Sequence, residues 1–267
     1  MKPSLSRYAL AVFASAAFLF PSLSAVASPV PAGNIQSVPP QDAPCCGALT
    51  PNAQKILAVL DHADVEHLWL NHHHVNWETG KPDRPDNYSG PGNHTHCSAF
   101  AAAVGARLGV YMLRPPQHSQ IFLASAQTRW FDSSEGRQSG WIRVSDAWHA
   151  QQLANKGMLV VVAYESPDQH RPGHIAVVRP SRISLARLRA DGPDITQAGS
   201  RNMTIGHAAD AFSGHRGAWP DGVKFFAHAL PQEGYSGRLA PCYHQPEGCH
   251  IMLNRVRYFR SENTSTW

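Results

Sequence analysis

The stretch NHTHCSAFAAAVGARL, residues 93–108, decides how the rest of the chain is read. Its apolar residues Phe100, Ala101, Val104 and Leu108 recur at steps of three and four. That spacing predicts a helix with one buried face and Cys97 in its first turn. The unpaired N–H groups and dipole of a helix N-terminus favour an anion, so a thiol placed there is expected to have a lowered pKa and to serve as a nucleophile. The alternative is a small packing residue, because cysteine is among the most often buried side chains.

Two further segments give the nucleophile partners. Residues 158–164, MLVVVAY, form a short apolar, β-branched run that predicts a buried strand. After a polar loop, Gly173-His174 opens a second strand, Ile175-Ala176-Val177-Val178, halted by Arg179-Pro180. An acyl-transfer cysteine needs an imidazole to take its proton and later protonate the leaving amine, and His174 at a strand start can present one. Ile195-Thr196-Gln197-Ala198-Gly199 reads as a neighbouring strand. The Gln197 amide oxygen can accept from the imidazole and fix its orientation, the task of a third triad member. Asn202 competes for that role or lines the substrate cleft, and His96, adjoining Cys97, is a second candidate for substrate contact.

These three segments resemble the papain-like cysteine amidases of the NlpC/P60 and CHAP superfamily. The likeness rests on Thr95-His96-Cys97-Ser98-Ala99-Phe100, on Gly173-His174-Ile175-Ala176-Val177-Val178 and on Gln197-Ala198-Gly199-Ser200-Arg201-Asn202, and covers about residues 51–228. The third position here is Gln where that family more often has His, Asn, Asp or Glu. The resemblance implies an α+β papain-like fold, with the nucleophile at the N-terminus of a helix packed on a small antiparallel sheet. It further implies hydrolysis of amide bonds in peptidoglycan stem peptides through an acyl-enzyme on Cys97, without a cofactor; whether a protein inhibitor or immunity partner exists is left open by the sequence. Two other readings stay open. The same machinery could cut or join amides in proteins, or the chain could be a non-enzymatic, histidine-rich metal-binding or interaction domain with Cys97 buried or paired.

The ends of the chain speak to location. Residues 1–27 carry Lys2 and Arg7, an apolar run over 9–20 and the small-residue ending Ala25-Val26-Ala27, which is the layout of a secretory signal. The run is short for a bilayer span of about 20 residues, so stable membrane insertion is not expected. Removing the leader takes Lys2 and Arg7 with it and lowers the formal charge from +4 to +2. A nucleic-acid binder would show a clustered basic excess instead. Residues 28–50, rich in Pro, Ala, Gly and Ser, are expected to form a poorly ordered lead-in, 51–230 the amidase domain, and 231–267 a C-terminal extension.

Five cysteines in an exported protein make pairing the default. Cys242 and Cys249 bracket a short Pro/Gly-containing loop and are expected to be bonded, while Cys45 and Cys46 could bond to each other or elsewhere. The total is odd, which leaves at least one thiol, and Cys97 is the one expected to be free. The run His72-His73-His74 invites a metal, but neighbours on an extended strand point to opposite faces and no HExxH or paired Cys/His spacing accompanies them. No metal site is therefore assigned. Residues 51–62, 121–131 and 146–156 predict further helices, and 223–228 a strand.

Overall fold

The computed structural model describes residues 43–231. The expected signal (1–27), most of the lead-in, and the extension with Cys242 and Cys249 lie outside the described residues. Seven helices and six strands follow in the described part of the chain: α1 (Pro51–Asp61), α2 (Cys97–Arg107), α3 (Leu123–Asp132), α4 (Ser134–Gln138), β1 (Ile142–Val144), α5 (Ala147–Asn155), β2 (Met158–Tyr164), β3 (His174–Val178), α6 (Leu185–Asp191), β4 (Asp194–Gln197), β5 (Met203–His207), α7 (Ala208–Phe212) and β6 (Lys224–Ala229). The strands form one sheet in the order β1-β6-β2-β3-β4-β5, every pair antiparallel. The class is α+β, as expected.

Strand β2 shows why this sheet has two covered faces. Leu159, Val161 and Ala163 enter a core shared with α1, α2 and α3, whereas Val160, Val162 and Tyr164 enter a second core with α5 and α7. Side chains alternate with period two, so a strand buried on both faces must be apolar at every position, which MLVVVAY is. Strand β3 divides the same way, with Ile175 and Val177 on the α2 side and Ala176 and Val178 on the other.

The caps follow local chemistry. Thr50 Oγ1 accepts from the Ala53 amide at 3.2 Å with Pro51 at the first helical position, and Asp146 accepts from the His149 amide at 2.9 Å to start α5.

Three expectations need correction. Helix α2 has no exposed face along its first nine residues: every position from Cys97 to Gly105 is buried. Its small residues allow approach from all sides, and a Cβ on Gly105 would lie 2.9 Å from the Val110 carbonyl oxygen. Helix α3 starts at Leu123 rather than 121, because Phe122 adopts a left-handed conformation with φ 56° and ψ 16°. The lead-in is ordered over 43–50, where Cys45 and Cys46 bond to each other and the Cys45 amide donates to the Ile183 carbonyl at 2.8 Å. Asn155 holds the same segment, donating to the Gly47 carbonyl at 3.2 Å.

Candidate active site

Cys97 opens α2, and it is the free cysteine among the described residues. The amides of Ile175 at the start of β3, of Ser98 and of Cys97 itself act on its sulfur in favour of the thiolate. The thiol thus lies against the peptide that joins His174 to Ile175. Burial dominates its acidity: desolvation pushes the Cys97 thiol up to about 11, while the three amides pull it down by less. The expectation of a lowered pKa is corrected on this ground. The helix N-terminus favours the thiolate, but a residue only 5% exposed loses more hydration than those amides return.

His174 and Gln197 come together as the sequence order suggested. His174 Nε2 donates to Gln197 Oε1 at 2.6 Å, and Gln197 Nε2 donates to the Arg201 carbonyl at 3.0 Å, so both ends of the amide are committed and its direction is fixed. The proton on Nε2 leaves Nδ1 as the basic nitrogen of the ring. His174 pairs across the ladder with Tyr164, whose side chain belongs to the second core, and its ring packs edge-on against Phe212 at 4.9 Å. His215 stacks on its face at 4.9 Å with 13° between planes. Burial, and then the neighbouring His215, bring the His174 pKa down to about 4. Among the described residues no hydrogen bond joins the thiol to the imidazole: both are neutral, and His174 faces the α7 side of β3, with Tyr164 and Phe212, whereas Cys97 belongs to the α2-side core.

The sequence gives no hint of His215. It lies 41 positions beyond His174, on the turn after α7, and reaches the site because that helix folds back over β3. Ser125 is a second such residue, its hydroxyl accepting from the Gly173 amide at 3.1 Å and from the Ser166 amide at 3.4 Å, which pins the loop that delivers His174.

Asn202 and His96 are placed elsewhere. Asn202 Nδ2 donates to the carbonyls of Val65 (2.6 Å) and Leu68 (2.9 Å), and Oδ1 accepts from the Gly199 amide at 2.9 Å. Asn202 thus ties the β4–β5 hairpin to the segment after α1 and has no amide atom left over for a substrate. His96, 1% exposed, donates from Nε2 to the His73 carbonyl at 2.8 Å, with Nδ1 3.2 Å from the Gln120 side chain. It anchors the histidine run to α2. Within that run His74 bonds to Asp83 and packs edge-on against Tyr88 at 5.4 Å.

A cleft of about 430 Å³ opens beside the N-terminus of α2, lined by His72, His94, Thr95, Ile121, Phe122 and Pro172 among others. Thr95 and Pro172 stand two residues before Cys97 and His174, so the cleft reaches both segments that carry the candidate reacting groups. No helix among the described residues is long and apolar enough to cross a membrane.

The acidity of these two side chains has measurable consequences. A His174 pKa near 4 in the folded protein against an ordinary 6.5 means that the unfolded chain takes up a proton first as pH falls. Stability from this group is therefore complete above pH 6.5 and drains as pH drops towards 4. At roughly 1.4 kcal/mol per pH unit the full loss is about 3 kcal/mol. Melting temperatures between pH 7 and pH 4 should fall less in His174→Gln than in wild type; equal slopes would remove His174 as the source. Cys97 is expected to react with iodoacetamide about 100-fold more slowly in the native protein than in urea at pH 7.5, with the native rate rising through pH 9–11. A fast native rate at neutral pH would show that the thiol is neither buried nor protonated.

No protein-family model matches this chain, and no curated protein matches it either.

Proposed function

We propose that this protein is an exported cysteine amidohydrolase with a papain-like arrangement of Cys97, His174 and Gln197, cleaving amide bonds in peptidoglycan stem peptides. The observation that carries the reading is the 2.6 Å bond from His174 Nε2 to Gln197 Oε1, made one residue from the Ile175 amide that favours the Cys97 thiolate. That bond sets the tautomer in which Nδ1 carries the free lone pair, and burial keeps the ring neutral, so substrate binding must raise its basicity before it takes the thiol proton.

The mechanism begins from two neutral groups rather than from a thiolate–imidazolium pair. The mechanism requires the sulfur and the ring, which face different sides of β3 before substrate binds, to meet at the edge of the sheet where β3 begins; there the thiol proton moves to Nδ1 while Sγ attacks the carbonyl carbon. Catalytic contacts are commonly long before substrate binds. The amides at the start of α2 then donate to the developing oxyanion. The imidazolium, steadied by Gln197, gives its proton to the leaving amine. Water, losing its proton to His174, hydrolyses the thioester and restores Cys97. The test is a product assay on purified sacculi with casein as control. New amino groups released from sacculi alone support this substrate, release from casein moves the reading to a protease, and neither would remove the hydrolase assignment.

A second reading rests on the same buried thiol with its raised pKa: Cys97 as a packing residue in a binding domain. It requires that Cys97→Ser retain every activity of the wild type, whereas a nucleophile's function would be lost.

A further inference from the structure

His215 touches the candidate base and has no part in the proton transfers described above. It enters on the turn after α7, where hydrogen bonds fix its backbone. The His215 amide donates to the Phe212 carbonyl at 3.0 Å, and the Ala218 amide donates to the His215 carbonyl at 3.0 Å. The Tyr164 hydroxyl donates to the Arg216 carbonyl at 3.0 Å, which ties the turn to the end of β2. The ring is thereby laid flat on His174, with 4.9 Å between centroids and 13° between planes. Tyr164 at 6.0 Å and Phe212 at 6.5 Å flank it.

The two rings differ in what else they touch. His174 is 4% exposed and commits Nε2 to Gln197. His215 is half-buried and lines a cavity of about 240 Å³ that His174 does not reach. Among the described residues nothing bonds to the ring nitrogens of His215. The uncharged side chains Tyr164 of β2, Gln197 of β4 and Phe212 of α7 surround the pair. The charged groups of the cavity are Asp168, Arg171 and Arg216; Asp168 lies 4.0 Å from Arg171 and accepts from the His170 amide at 2.9 Å. Arg129 of α3 pairs with Glu165, and His149 of α5 with Asp146, each at 2.6 Å. Cys97 of α2, in the core on the other face of β3, is protonated. No carboxylate therefore pairs with either stacked ring. Two imidazolium rings in contact repel, so the pair accepts one proton readily and a second only at much lower pH. The half-buried ring loses less hydration and opens on the cavity, so the first proton settles on His215.

We infer that His215 is a positioning residue that acts through His174: laid over the imidazole by the α7 turn, it takes a proton arriving through the cavity and leaves His174 its free lone pair for the thiol. The proton comes from solvent and returns to it as pH rises, so nothing is consumed. This rests on the amidase reading for the use of that lone pair, but not for the order in which the two rings charge. As pH falls, His215 becomes cationic first, and its charge then holds His174 neutral further into acid than burial alone would. Burial and the neighbouring His215 act on His174 in this one direction, with the Gln197 bond opposing them.

The experiment is an NMR titration of the full-length mature protein, isotope-labelled at histidine, with His174→Gln and His215→Phe spectra assigning the two rings. In wild type, His215 should charge before His174. His215→Phe keeps a flat ring over the imidazole and removes its proton site. With the cation 4.9 Å away gone, the His174 midpoint should rise by roughly one pH unit. Should the phenyl ring not be accommodated, His215→Gln removes the same charge and should move the midpoint the same way. The acid limb of kcat/KM should move with it, because that limb reports the base of the free enzyme. A ring that serves only to fill space would leave both where they are. His174 charging before His215, or an unmoved His174 midpoint in the folded variant, overturns the inference. A raised midpoint with no hydrolysis of sacculi by wild type upholds the pair and removes the amidase; hydrolysis with an unmoved midpoint and acid limb does the reverse.

Discussion

Cys97→Ala is expected to abolish amide hydrolysis while the protein stays folded, and His174→Ala to lower kcat by at least the 10²–10⁴-fold that a general base typically contributes. In the proposed mechanism the two groups act in one proton transfer, so their losses should not add: the double variant should be no slower than Cys97→Ala alone. Gln197→Ala should be milder, roughly 10- to 100-fold in kcat, because an amide orients the ring without neutralising the imidazolium as a carboxylate would. Asn202→Ala, by contrast, should lower the melting temperature more than it changes kcat, since its amide holds the carbonyls of Val65 and Leu68 rather than the imidazole. Steady-state kinetics on variants of verified fold decide the matter. Turnover at the wild-type rate by folded Cys97→Ala ends the proposed mechanism, and a kcat loss at Asn202 exceeding that at Gln197 would transfer the orienting role.

Trp69→Ala is expected to produce the largest loss of stability of any single side-chain truncation in the described fold. Trp69 is fully buried, its indole N–H donates to the Trp77 carbonyl at 3.0 Å, and its ring meets Phe100 edge-on at 5.3 Å. The Arg107 guanidinium covers it at 5.4 Å. The backbone of Gly80 packs so closely that a Cβ there would stand 2.3 Å from the indole. Truncation therefore removes ring contacts on several sides and orphans a carbonyl, a loss of roughly 3–5 kcal/mol. At about 2–4 °C per kcal/mol for a domain of this size, the melting temperature should drop by on the order of 10 °C. The Asn202 staple ends at the Leu68 and Trp69 carbonyls, at 2.9 and 3.3 Å, so Trp69→Ala and Asn202→Ala should be non-additive in a double-mutant cycle. A drop below about 3 °C would show that the segment between α1 and α2 repacks without the indole.

The histidine-rich segment before α2 shows where sequence reading stops. Residues 67–77 have no helical or strand period, since they form successive turns in which Trp69 and His72 hold left-handed backbones. Their order comes from distant partners: Gly80 and Trp77 for Trp69, His96 for the His73 carbonyl. The elements left unread in the sequence, α4, β1, α6, β5 and α7, are three to seven residues long. Segments of that length carry too few turns or alternations for a period to emerge, and ladder pairing or a cap sets them instead.

By itself the sequence determined the elements whose side chains all answer to one local rule. The apolar run 158–164 is β2, the patterns over 51–62 and 146–156 are α1 and α5 to within a residue or two, and the order Cys97, His174, Gln197 falls on helix start, strand start and neighbouring strand end. Only the tertiary structure decided which amide meets the imidazole, because Gln197 and Asn202 are equivalent donors and acceptors until the β4–β5 hairpin turns one towards His174 and the other towards Val65. It also decided the acidity of Cys97. A helix N-terminus can be read from spacing, but how deeply its first residue is buried depends on what the rest of the chain places over it, and there desolvation outweighs the amides.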